Sequence, residues 1–115
     1  MLILEGGSSL GGNHTWSFFP TDLNSEQLDW IEPLILHRWS TYEVRFPDLR
    51  RTLGTGYCST NSDFFHTFMM GALGDCVQLR APVEALEPDR VQIAGGETLS
   101  ARGVIDGRGR SRART

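Results

Sequence analysis

Three stretches of the chain present an acidic or bare-backbone residue: Glu5 after the apolar run Met1–Leu4, the pair Gly11-Gly12 six residues beyond it, and Asp106-Gly107 after the apolar pair Val104-Ile105. An acidic residue closing the second strand of a dinucleotide-binding fold accepts hydrogen bonds from ribose hydroxyls. A glycine pair beyond it places no Cβ between the main-chain amides and a diphosphate or ribityl chain. A glycine turn at the carboxyl end of a late strand of the same sheet closes such a cofactor in. Taken singly, these are a surface glutamate and two glycine turns; their order along the chain is what points to one nucleotide.

Other chemistries find less support. His14, His37 and His66 share no metal-ligand spacing and read as hydrogen-bonded or surface imidazoles, so no metal is assigned. Cys58 and Cys76 form no CxxC pair and read as free, reduced thiols. No Ser/His/Asp or Cys/His arrangement follows from spacing. Trp16, Phe18, Phe19, Trp30 and Trp39 could line a channel for a long apolar substrate, although aromatic residues more often fill cores. All 11 basic residues are arginine, the net charge is -3, and the one basic cluster sits in the last eight residues, so nothing suggests a nucleic-acid partner. No run approaches the ~20 apolar residues of a membrane span.

The elements that must position these residues follow from pattern. At 115 residues the chain is about one small domain, and its 13 glycines imply many turns. Met1–Leu4 reads as the end of a buried parallel strand, which needs neighbours on both sides, so the usual first strand and helix of a βαβ unit are expected to be missing. Residues 6–17 read as a glycine-rich loop. Helical spacing predicts a short helix from about Ser25 to Glu32, broken at Pro33. Tyr42–Phe46 alternates like a strand with one wet face, and DLRRTLGTGYCS after it reads as a turn-rich return. Asn61, Ser62 and Asp63 supply cap chemistry for a helix over Phe64–Leu73 that Gly74 ends. Strands are predicted at Val77–Arg80, Val83–Glu87, and Arg90–Ala94 with Glu97–Ala101 through a two-residue Gly95-Gly96 connection, with Val104-Ile105 as a final buried strand.

The string LEGGSSLGGNHTWSF resembles the segment that follows the first βαβ unit of bacterial lycopene β-cyclases of carotenoid biosynthesis. HRWSTYEVRFPDLRRTLGTGY, STNSDFFHTFMMGALG and ALEPDRVQIAGGETLSARGVIDGRG resemble the same family in the same order, over about residues 1–109. GGNHTW, HRW and YEVRFP are the characteristic pieces; an acidic strand end, a glycine pair and a VIDG turn recur across hydroxylase-like flavoproteins. The resemblance implies an α/β fold, a partial FAD/NAD(P)-binding Rossmann-like domain with a mixed sheet over residues 1–109; the arginine cluster after it reads as a disordered basic tail over 110–115. It also implies FAD, used in its reduced form with NAD(P)H as electron donor. Glu5 would lie at the adenosine ribose, Gly11, Gly12 and Asn13 near the diphosphate and flavin, and Asp106 with Gly107 at the second cofactor contact.

Members of that family cyclise the ends of lycopene, or a related linear carotene, to β-rings without net redox change. Protonation of an end-group double bond, ring closure through a carbocation and proton loss make up the chemistry, and the acid lies in a substrate half that this sequence does not include. The chain is therefore expected to be inactive alone. The expected location is the cytoplasm, with peripheral contact at the inner membrane in the full-length protein. Two other readings compete: another flavoprotein of the hydroxylase or isoprenoid-reductase type, and a small non-enzymatic interaction domain.

Overall fold

The computed structural model describes residues 1–109, as a mixed α/β arrangement of several small sheets and two helices. Strand β1 (Ile3–Leu4) pairs in parallel with β7 (Val77–Gln78). A three-stranded antiparallel sheet has β6 (Tyr57–Asn61) at its centre, between β2 (Thr15–Phe18) and β3 (His37–Trp39). Strands β4 (Tyr42–Phe46) and β5 (Leu49–Leu53) form a hairpin through Pro47-Asp48, and β8 (Val83–Glu87), β9 (Arg90–Ile93) and β10 (Thr98–Ser100) form an antiparallel meander.

Both helices start where the polar residues dictate. Helix α1 (Ser25–Ile31) carries a reciprocal cap: the Gln27 amide donates to Asn24 Oδ1 at 2.9 Å, and the Asn24 amide donates to Gln27 Oε1 at 3.0 Å. Pro33 cannot continue an α-helix, and Glu32–Leu34 tightens into a 3-10 turn. Helix α2 (Ser62–Leu73) begins under Asn61, whose Oδ1 accepts the Phe64 amide at 2.9 Å, with Asp63 in the positive first turn.

Several expectations change against this architecture. Part of the 6–17 loop is strand β2, and the turn-rich return after Pro47 contains two strands, β5 and β6. The meander's glycine connection is longer than two residues: the Ile93 amide donates to the Glu97 carbonyl at 2.8 Å, leaving Ala94, Gly95 and Gly96 in the loop, both glycines at positive φ. Val104-Ile105 forms no strand, and Ile105 is 97% exposed, because no strand among the described residues pairs with it. The 110–115 tail lies outside the described residues.

Little of the chain is enclosed. Leu10, Cys58, Ala81 and Ile93 are the buried apolar residues among those described. The radius of gyration is 19.1 Å, against about 13 Å for a compact domain of this length. Contrary to the core expectation, Trp30 is 82% exposed and Trp39 and Trp16 are partly exposed. The two cysteines are free thiols, Cys58 buried and Cys76 half-buried.

Candidate functional site

Glu5 stands at the carboxyl end of β1, where three main-chain bonds fix its surroundings. Its amide donates to the Gln78 carbonyl (3.0 Å), its carbonyl accepts the Ala81 amide (2.9 Å), and the Arg80 amide donates to the Gly7 carbonyl (2.8 Å). The corner at Arg80 is the one described non-glycine residue at positive φ, 54°. Glu5 Oε1 accepts the Gly7 amide at 2.8 Å, which orients the carboxylate over the loop and leaves its other oxygen without a bond among the described residues.

The loop from Leu10 to His14 is shaped from both sides. Gly11 (φ 86°) and Gly12 (φ 65°) are left-handed, a conformation that costs other residues roughly 1–2 kcal/mol. A Cβ on Gly11 would stand 3.0 Å from Phe65 Cδ1 and 3.2 Å from the Trp16 ring, so the bare backbone is needed for packing as well as for φ. Helix α2 holds the loop: the Leu10 amide donates to His66 Nδ1 (2.9 Å), and the Ser62 amide donates to the His14 carbonyl (2.9 Å). The Ser62 hydroxyl reaches the carbonyls of His14 (2.9 Å) and Gly11 (3.2 Å) and also lies against the His14 amide. These bonds leave the amides of Gly11, Gly12 and Asn13 without an acceptor among the described residues. Adjacent main-chain donors of this kind, in a loop turned by left-handed glycines, form a concavity suited to an anion.

Beside this loop is an apolar groove of about 360 Å³, lined by Gly11, Trp16, Phe18, Ile31, Leu34, Thr60 and Phe65. Its construction follows from register. Trp16 pairs with Thr60 and Phe18 with Cys58 across the β2–β6 ladder, so these four side chains share one face of the sheet. Phe65 of α2 meets Trp16 edge-on at a ring separation of 5.5 Å, and Ile31 and Leu34 complete the lining. The Thr60 hydroxyl is buried without a hydrogen-bond partner among the described residues.

Asp106 and Gly107 sit elsewhere, on exposed chain rather than at the end of a buried strand. The Asp106 carboxylate binds the Arg108 guanidinium (2.8 and 3.0 Å) and accepts the Arg108 amide (3.1 Å), which lowers its pKa from 3.8 to about 2. Arg108 in turn donates to the Val83 carbonyl at 3.3 Å. Because Glu5 is bonded to Ala81, and Gly6 lies against Pro82, the Glu5 loop and the Asp106–Arg108 segment border the same stretch, Ala81–Val83. Gly11 and Gly12 belong to a different set of contacts, with His14, Trp16 and Phe65.

Ser62 and His66 were not distinguished as site residues by motif. Their i,i+4 spacing on α2 is the available signal, since the loop they hold lies far away in sequence. No His/Cys/Asp/Glu cluster among the described residues could hold a metal ion, and no described helix is long and apolar enough to cross a membrane.

With this geometry in place, comparison with known proteins gives the family. The lycopene cyclase protein family model matches residues 1–115, and the chain belongs to that family. It is 48% identical over 109 residues to the lycopene beta-cyclase of Pseudescherichia vulneris, and 38% identical over 109 residues to that of Pantoea ananas. Each match covers 95% of this chain and 28% of the relative. No solved structure matches it.

Proposed function

We propose that this chain forms the FAD-binding part of a lycopene β-cyclase, built on a Rossmann-like α/β sheet. The observation that carries the reading is the Leu10–His14 loop, whose left-handed glycines and free Gly11, Gly12 and Asn13 amides open beside an apolar groove. Glu5, with one carboxylate oxygen unengaged, suits a ribose hydroxyl, and the amides of Gly11, Gly12 and Asn13 suit a diphosphate. Asp106 and Gly107 join them only if their exposed segment is brought against the same nucleotide, and their shared border with Glu5 along Ala81–Val83 favours that.

Glu5 and the main-chain amides of the Leu10–His14 loop would hold FAD, which in its reduced form, maintained by NAD(P)H, would supply negative charge to stabilise a carbocation in a dry cavity. The chain's own contribution is to hold the nucleotide and exclude water. Trp16, Phe18, Ile31, Leu34 and Phe65 present almost entirely carbon to the groove, which suits the hydrocarbon end of a linear carotene such as lycopene. Peripheral bilayer contact belongs to the same reading, and is supported by the β4–β5 hairpin tip. There Phe46 and Leu49 are 62% and 58% exposed beside Arg45 and Arg50.

The test is a chimera: residues 1–109 of this chain exchanged for the matching segment of the Pseudescherichia vulneris relative, expressed in a lycopene-accumulating host. Cyclised products of unchanged mass are expected, together with FAD in the purified protein. Products that have gained oxygen or hydrogen would move the assignment to a hydroxylase or a reductase. A folded chimera without flavin would end the cofactor assignment.

A further inference from the structure

Helix α2 contributes more to the glycine loop than packing. Its Ser62 and His66 lie on successive turns of one face and together occupy four polar groups of the loop: the Leu10 amide, the Gly11 carbonyl, and both main-chain groups of His14. Ser62 is 5% exposed and Leu10 is 9% exposed, so these bonds are shielded from competing water. Leaving any of these groups unpaired at such burial costs about 1–3 kcal/mol.

The consequence lies in what is left over. With the carbonyls of Gly11 and His14 drawn toward α2, the Gly11–Gly12 peptide plane is fixed with its Gly12 N–H directed opposite to the bonded carbonyl, and the Gly11, Gly12 and Asn13 amides are the donors that remain among the described residues. An untethered Gly-Gly segment samples both signs of φ almost equally, and would present those amides together only part of the time. A ligand's apparent affinity falls by the fraction of the protein in the competent shape.

We propose that Ser62 and His66 are positioning residues that hold the Leu10–His14 loop in its anion-binding shape, His66 through an unprotonated Nδ1 that accepts the Leu10 amide. Neutral His66 therefore carries its proton on Nε2. The loop geometry stands by itself; the nucleotide as its ligand rests on the proposed FAD reading.

Two measurements separate these parts. In the 115-residue chain, nitrogen NMR of the imidazole should show the Nε2-H tautomer, and hydrogen exchange at Leu10 should be slow. His66→Ala should accelerate that exchange about tenfold, and His66→Asn, whose Oδ1 can take the place of Nδ1, should restore it. In the full-length chimera, His66→Ala should weaken FAD binding about tenfold with the circular dichroism unchanged, and His66→Asn should recover most of the loss. Should His66→Ala unfold the protein, Ser62→Ala and His66→Asn carry the same comparison. Leu10 exchange that ignores His66→Ala, or a proton found on Nδ1, overturns the proposal whatever FAD does. An unsubstituted chimera that protects Leu10 yet binds no FAD overturns the nucleotide assignment and leaves the loop clamp standing.

Discussion

The ring of Phe65 meets the indole of Trp16 edge-on at 5.5 Å, and Gly11 occupies the angle between them so closely that a methyl group there would reach within 3.0 Å of Phe65. One glycine thus serves the backbone of the candidate nucleotide loop and the wall of the apolar groove. Gly11→Ala meets both the left-handed φ and the aromatic rings, and should lower stability by at least about 1–2 kcal/mol. Urea unfolding monitored by tryptophan fluorescence measures it. A change below a few tenths of a kcal/mol would show that the loop relaxes away from both constraints.

Thr60→Val should act in the opposite sense. The Thr60 hydroxyl is buried with no partner among the described residues, so replacing it by a methyl group of similar shape removes an unmet polar group. A gain of up to about 1 kcal/mol is expected in the same unfolding experiment. A loss of similar size would mean that the hydroxyl is bonded in solution.

Helix α2 depends on its first cap. Asn61→Ala removes the acceptor of the Phe64 amide and should cost about 1 kcal/mol. Since Ser62 and His66 ride on the same helix, Leu10 exchange should rise with it, and calorimetry and exchange on one sample check the two together.

Asp106 gives the pH dependence. Its carboxyl is held at about 2, below 3.8, by the Arg108 guanidinium and amide. A depressed folded-state value means that the contact is fully present above about pH 4 and is lost as pH falls toward 2. A carboxyl-carbon NMR titration should place Asp106 in that window, and Arg108→Gln should return it toward 3.8. Asp106 already at 3.8 in the unsubstituted chain would remove the pairing.

Phe46→Ser with Leu49→Ser should reduce sedimentation with anionic phosphatidylglycerol vesicles several-fold, while leaving the hairpin's strand signal intact. Both side chains stand exposed at the tip, where each contributes about 1.5–3 kcal/mol if fully buried. Equal sedimentation of the variant would place any bilayer contact elsewhere.

The parts of this architecture legible in the sequence are those whose determinants are local. Caps and apolar spacing located α1 and α2, and the alternation of Tyr42–Phe46 located β4. Strand β6 escaped because YCSTN is small and polar; it is a strand because β2 and β3 bond to both its edges, which composition does not record. Val104-Ile105 erred the other way, apolar and branched but without a neighbouring strand. At the site, Glu5 and the glycine pair were visible as types, but Gly11's place between two aromatic rings and the grip of Ser62 and His66 are relations between distant segments.

The parallel ladder between Ile3 and Val77 joins two strands that the intervening helices and sheets separate in sequence. Its closure entropy must be met before its short register gives any return, so it should be the last junction to zip during synthesis or refolding. Until then Glu5 has no fixed neighbour at Gln78 or Ala81, and the acidic end of the cradle comes into being only after its glycine end has been shaped.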